Sequence, residues 1–418
     1  MSVDDGSTNG GANGGTVSHT TVLLSILDGT EEYDSGQDVV TDSQNYIYVA
    51  GITKGDLGDD ETNSGLDDAF LRKYEESGTL VWDTLLGTAS EDQASNITLD
   101  GGGNVYMTGK TRGNLSEDSD EINAGNLDAF ITKHSSDGNL QWTVLVGTTA
   151  SDVGSDIAVD SSGNVIIVGS TDGGLGGGTN AGASDAFIAK YDSTGTNTWT
   201  KLLGSTGYDY AYAVATDSND NIYVTGKTNS DLNDEVNSGD VDAFIAKYDS
   251  TGTLLWLKLL GTVGYEEGLD VTTDSDGNVY ICGYTNGDLS GTNSGGTDAF
   301  MAKYTSSGTK KWTKLLGTSS AERATGIRVD SSDKIYLTGY TAGNLNDETN
   351  SGLTDAFVAQ YDSTATLVSV TLLGTNNSEY SNAITLDISG NIYIVGRSDG
   401  AFSGLENTGD YDFFVVKM

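Results

Sequence analysis

The chain reads as an all-β protein, a seven-bladed β-propeller of four-stranded antiparallel blades, and three observations predict it. An Asp-Ala-Phe triplet begins at Asp68, Asp128, Asp185, Asp242, Asp298 and Asp355, with an altered last copy at Asp412-Phe413-Phe414. These starts lie 60, 57, 57, 56, 57 and 57 residues apart, and a fixed period of this size signals a repeat architecture. Each period carries four short runs rich in Val, Ile, Tyr, Thr and Phe, and no stretch shows helical periodicity. Finally, the last unit ends after three runs while a surplus run stands before the first unit.

The unit from 156 to 204 shows the elements in order. Segment a, Asp156–Asp160, meets the turn Ser161-Ser162-Gly163-Asn164 and segment b, Val165–Gly169. A long polar loop leads to segment c, Asp185–Tyr191, and the turn Asp192–Gly195 leads to segment d, Thr198–Gly204. Short links carrying Gly, Asn or Asp suit hairpins. With 57 Gly and no Pro, those residues and Ser must make every turn. Segments b and c are apolar at nearly every position, which fits sheets covered on both faces, as stacked blades are.

The ends set the topology. The first run, Thr20–Leu27, resembles the d segments, and the last unit has a (Ala383–Asp387), b (Asn391–Gly396) and c (Phe413–Lys417) but no d. Pairing the two would complete the seventh blade and remove the open edges. An open solenoid would want polar caps at its ends instead. The expected organisation is a flexible Gly/Asn/Asp-rich tail over 1–19 and one propeller over 20–418, with 20–30 as the outer strand of the last blade. The blades then run at about 36–88, 92–148, 152–205, 209–262, 266–318, 322–375 and 379–418.

Composition narrows the function classes. With 61 acidic and 20 basic residues the net charge is -41, which repels nucleic acid and anionic lipid. Cations, basic partners or a salty medium suit such a surface, and acidity also keeps a Gly-rich β protein soluble. The single cysteine, Cys282, sits in the apolar run Val279-Tyr280-Ile281-Cys282 and reads as a buried structural thiol. No apolar run approaches the ~20 residues of a membrane span. The opening MSVDDGSTNGGANGG lacks a basic and an apolar region, so it reads as a linker or leader remnant.

The unit DAF(I/V)AKYDSTG, WTKLLGT and DSxGNxYVTG resembles the bacterial β-propeller repeat called SBBP, in all seven copies from about Thr20 to Met418. The resemblance implies the propeller fold and occurrence mostly in secreted or surface proteins of microbes. It implies no established activity.

Candidate chemistry is sparse. Trp82, Trp142, Trp199, Trp256 and Trp312 stand one per d segment, with Ser369 in the sixth copy; five rings could stack on a ligand, but their period favours packing blade on blade. Turns such as Asp274-Ser-Asp-Gly-Asn278 make Asp274 and Asp276 the candidate metal ligands and calcium the candidate ion. They are too short for a twelve-residue calcium loop and lack its closing Glu, and Asp and Asn at hairpins cap their own backbone. An acid lies about five residues beyond the d-segment Gly in six units: Glu91, Asp152, Asp209, Glu266, Glu322 and Glu379. The b–c loops, which should emerge on the same face, carry Asp59-Asp60-Glu61, Glu117 to Glu121, Asp347-Glu348 and an Asn-x-Gly turn each, at Asn63, Asn123, Asn180, Asn237, Asn293, Asn350 and Asn407. One strongly negative face is expected, as a contact surface for a cation, a basic partner or a polysaccharide, or as solvated loops capping their own amides.

His19 and His134 occupy different repeat positions, so no metal pair or triad base is expected. The Gly-rich run 173–178 precedes no helix and does not read as a phosphate loop. Arg323 and Arg328, beside Glu322, are the one hint of a site that breaks the repeat. The expected function is a non-enzymatic extracellular or cell-surface propeller, a binding or structural scaffold using its acidic loop face, with protein or polysaccharide partners or self-assembly. It would require no cofactor, bind no nucleic acid and insert in no membrane. The alternative is a polysaccharide hydrolase or lyase using paired carboxylates.

Overall fold

The computed structural model describes residues 21–57, 62–115, 122–402 and 404–418. The expected 1–19 tail, His19, Asp59-Asp60-Glu61 and Glu117 to Glu121 lie outside them. The described chain forms seven four-stranded antiparallel sheets. In the third blade the strands run Asp152–Val159, Val165–Thr171, Asp185–Tyr191 and Asn197–Leu203, innermost to outermost, and the other blades follow the same order. Strands of Val, Ile, Tyr and Phe form because both faces of each sheet are buried. The second strands, such as Ile47–Thr53, are buried at nearly every position, whereas outermost strands such as Leu80–Leu86 are half-buried or exposed.

The surplus first segment does complete the last sheet. Leu24–Asp28 pairs antiparallel with Asp412–Lys417, placing Leu24 opposite Lys417 and Asp28 opposite Phe413. Seven apolar clusters fill the gaps between neighbouring blades. The one formed by Val39, Ile47 and Phe70 with Tyr393, Val395 and Phe413 joins the first blade to the seventh. Blade packs on blade through the tryptophans. Trp82 Nε1 donates to Ser136 O of the next blade at 3.2 Å, and Trp256 Nε1 to Ser306 O at 3.1 Å. Gly308 has φ +82° and lies flat beneath Trp256, where a Cβ would meet the ring at 2.9 Å.

Every innermost strand carries one β-bulge, as between Gly154 and Asp156, which turns the next side chain toward the channel on the axis. Among the described residues the only helical turn is the short one at Leu175–Gly177, inside the Gly-rich loop, and no helix is long and apolar enough to cross a membrane.

Candidate functional site

The acids expected on the contact face belong to the framework instead. Asp152, Asp209, Glu266, Glu322 and Glu379 are the first residues of innermost strands and are fully buried. Asp34 and Asp92 hold the same register in the first two blades, and Glu91 lies one residue outside it. Each carboxylate accepts the backbone N–H of the Thr or Ser four residues earlier, at 2.6–2.7 Å. The hydroxyl of that residue donates too, as Thr318 does to Glu322 at 2.8 Å. These side chains close the connector between blades and cannot touch a partner. Glu91 is half-exposed, but Lys110 (3.3 Å) and Arg112 (3.0 Å) occupy it.

The Asn-x-Gly turns are anchors as well. All seven Asn side chains donate through Nδ2 to the carbonyl at the end of the second strand, as Asn237 does to Thr228 O at 3.2 Å. Asp274 gathers Asn278 N and Nδ2 at 2.8 Å, Tyr280 Oη at 3.0 Å and Lys303 Nζ at 3.3 Å. Burial would raise its pKa, but these donors hold it below the usual carboxylate range. Asp276 is exposed beside it and donates its own N–H to Asp274. Among the described residues no three His, Cys, Asp or Glu side chains converge as metal ligands. Buried His134 is held between Thr132 Oγ1 (3.1 Å) and Gly138 O (3.2 Å), and Cys282 is fully buried.

Two places break the sevenfold pattern. The first is the channel, a cavity of about 320 Å³ lined by Asp38, Asp156, Asp270 and Arg328 among others. Each Asp follows a bulge in the first, third or fifth blade and accepts the N–H beyond the bulge of the next blade: Ile97 at 3.1 Å, Val214 at 2.6 Å and Ile327 at 2.8 Å. Arg328 is not beside Glu322; its Nη1 lies 2.7 Å from Asp270. Burial drives Asp38 up to about 7 and Asp156 well above the ordinary value. These acids tie inner strands together.

The second is the mouth of the channel. The second residue of each innermost strand stands opposite the sixth of the neighbouring strand, pairing Tyr210 with Lys227, Glu267 with Tyr284, Arg323 with Tyr340 and Tyr380 with Arg397. Across the blade gaps the side chains continue one arc. Lys227 Nζ reaches Glu267 at 2.6 Å and Tyr265 Oη at 3.0 Å. Arg323 lies 4.1 Å from the Tyr284 ring centre, Tyr340 meets Tyr380 edge-on at 4.9 Å, and Arg397 lies 4.8 Å over Tyr380. Tyr33 and Tyr411, neighbours across the closing gap, end the arc at 5.8 Å from one another.

At the other end Tyr210 and Tyr212 alternate along the strand Asp209–Thr216, and Tyr208 stands just before it. Their rings stack nearly parallel at 6.3 and 6.2 Å, and the outermost is 51% exposed. With Lys227, Asn229, Val241 and Tyr265, Tyr208 and Tyr210 line a cleft of about 280 Å³. Burial works against the Lys227 ammonium, but Glu267 and the tyrosine hydroxyls hold its pKa above the ordinary value.

The sequence hints at this arc through Arg323 alone. Its signal is disagreement among copies: the arc positions are Ser35, Gln93 and Val153 in the first three blades but Tyr210, Glu267, Arg323 and Tyr380 in the rest. Reading the motif's agreement hides those columns.

The model of the family described as SBBP, beta-propeller repeat, matches residues 81–116, 141–176, 198–233, 255–290, 311–346 and 370–403, just over half of the chain. Each match runs from an outermost strand through the two inner strands of the next blade. The regulatory protein FlaEY of Caulobacter vibrioides is 26% identical over 416 residues, covering 86% of this chain and 43% of that protein. An uncharacterized WD repeat-containing protein of Acanthamoeba polyphaga mimivirus is 28% identical over 261 residues, 50% of this chain and 19% of that protein. The chain thus spans less than half the length of either relative. Among solved structures, an ulvan lyase from a polysaccharide lyase family superposes with TM-score 0.54 at 11% identity, covering 93% of this chain and 95% of the lyase, a likeness of fold alone.

Proposed function

The chain belongs to the SBBP beta-propeller repeat family, and on that premise we propose that it is a binding propeller, extracellular or on a cell surface, that holds a glycan across the mouth of its channel. The observation that carries this reading is the arc of half-buried tyrosines and cations over the fourth to seventh blades, in the columns where the repeats differ. Structural columns repeat because every blade needs the same clamp; a ligand needs different groups along its length. Pyranose rings have an apolar face and a hydroxyl rim, which matches tyrosine rings flanked by Lys227, Asn229 and Glu267. Several weak subsites along one polymer would add through avidity.

Binding is preferred to catalysis because the arc's carboxylates are engaged within the fold: Glu267 with Lys227 and Tyr265, and Glu322 with Thr318 and Thr341. The test is a panel of soluble polysaccharides in affinity electrophoresis, with Tyr208→Ala/Tyr210→Ala beside the parent chain. Loss of these two ring platforms is expected to weaken binding about tenfold or more. Retention unchanged in the double variant removes the mouth as the contact. Turnover on the panel that Glu267→Gln abolishes would put the lyase or hydrolase reading in its place.

A further inference from the structure

We propose that the sixth-to-seventh-blade end of the arc is an anion subsite, in which Arg323 and Arg397 recognise the carboxylate or sulfate of an acidic sugar. This rests on the glycan-binding reading and adds the chemical class.

Charge pairing within the molecule points there. The chain has five arginines and three times as many acids as bases. Arg72 is buried between Asp28 and Asp83, Arg112 meets Glu91 at 3.0 Å, and Arg328 meets Asp270 at 2.7 Å. Arg323 and Arg397 have no carboxylate partner among the described residues. With acids so abundant, two unpaired arginines in adjacent blades are not what solvation by chance produces.

The cations of the same columns in other blades serve as an internal control. Lys110 is neutralised by Glu91 at 3.3 Å and Lys227 by Glu267 at 2.6 Å. Among the described residues, Arg323 and Arg397 are the cations of these columns that meet no carboxylate.

What holds the two arginines is aromatic. Arg323 lies over Tyr284, while Arg397 lies over Tyr380 at 4.8 Å, Tyr411 at 5.5 Å and Tyr33 at 5.9 Å. A guanidinium resting on ring faces is fixed in place, yet its in-plane N–H edge stays available for a two-point contact with a planar anion. The Tyr340–Tyr380 pair bridges the two arginines, being opposite Arg323 and Arg397 in register. Both rings are half-buried, so the subsite offers two guanidinium forks and two phenols on a preformed wall. The net charge of -41 repels polyanions at long range, so recognition has to be local, at the unpaired forks.

The test uses the full chain and three probes: polygalacturonate (carboxylate only), dextran sulfate (sulfate only) and neutral dextran, followed by isothermal titration. Binding to either charged probe, with neutral dextran at least about tenfold weaker, is expected, and the preferred probe tells carboxylate from sulfate. Arg323→Gln and Arg397→Gln should each weaken the charged probe about tenfold, and Arg→Lys at each site should restore part of it. Each glutamine variant loses ring contacts but no ion pair, so its melting temperature should fall by only a few degrees and the fold should be retained. Charged-probe binding that survives both glutamine variants, or equal binding of dextran and dextran sulfate, overturns the anion subsite while leaving a glycan-binding mouth. No retention of any glycan overturns both.

Discussion

Trp256 shows how one side chain joins two blades. Its ring lies over Gly308 of the next blade, its Nε1 reaches Ser306 O, and Tyr223 packs against it at 6.2 Å. Removing it leaves a gap against Gly308 and Tyr223 and leaves Ser306 O with Lys247 Nζ alone, so Trp256→Ala should cost about 3 kcal/mol in urea unfolding. Asp274 gives a contrasting case, an acid that looks free in sequence and is spent in the fold. Its oxygens already receive Asn278, Tyr280 and Lys303, so millimolar Ca²⁺ should raise the melting temperature no more than Mg²⁺ at equal ionic strength. A rise specific to calcium would contradict this account of Asp274.

Among the elements, the strand Leu24–Asp28 does more than fill the seventh sheet. Asp28 accepts from Tyr74 Oη at 3.1 Å and from Arg72, both in the first blade. Arg72 is 3% exposed, so the strand's last residue neutralises a buried guanidinium across the closing gap. Asp28→Ala leaves that charge with Asp83 alone and should cost about 3 kcal/mol, read by denaturant midpoint. An equal loss from Asp83→Ala would be expected only if the two carboxylates share the charge evenly, and Asp83 is the more distant at 3.3 Å. The pairing of first and last segments was legible in the sequence, because each lacked what the other had. This latch was not, since Asp28 and Arg72 are 44 residues apart and stand at positions no repeat marks.

For the whole molecule, buried acids of two kinds set the pH response. Burial lifts Asp34 to about 6 and Asp38 to about 7, so the folded chain holds protons there that the unfolded chain has released. Stability from these groups is fully present below the unfolded pKa, near 4, and is lost as pH rises through 6 to 7. The hairpin acids Asp160, Asp217 and Asp274 are shifted down by their donors despite burial, so their contribution is lost as pH falls below about 4. Self-repulsion at -41 acts with the first group. The melting temperature should therefore peak at mildly acid pH, and Asp38→Asn should flatten its fall between pH 4 and 7. A peak above pH 8 would contradict this account.

The sequence by itself determined the period, the four strands of each blade, the blade-to-blade role of the tryptophans and the closing of the ring. These follow from local patterning repeated seven times, and repetition amplifies a weak signal. It read five buried connector acids as surface groups, because an acid beyond a strand looks solvent-facing until the connector folds back and buries it against its own Thr or Ser. Only the tertiary structure decided the mouth. Lys227 and Glu267 are 40 residues apart and meet solely because one blade's second strand lies beside the next blade's innermost strand. A period tells which residues recur; which of the differing residues touch depends on how the blades stack.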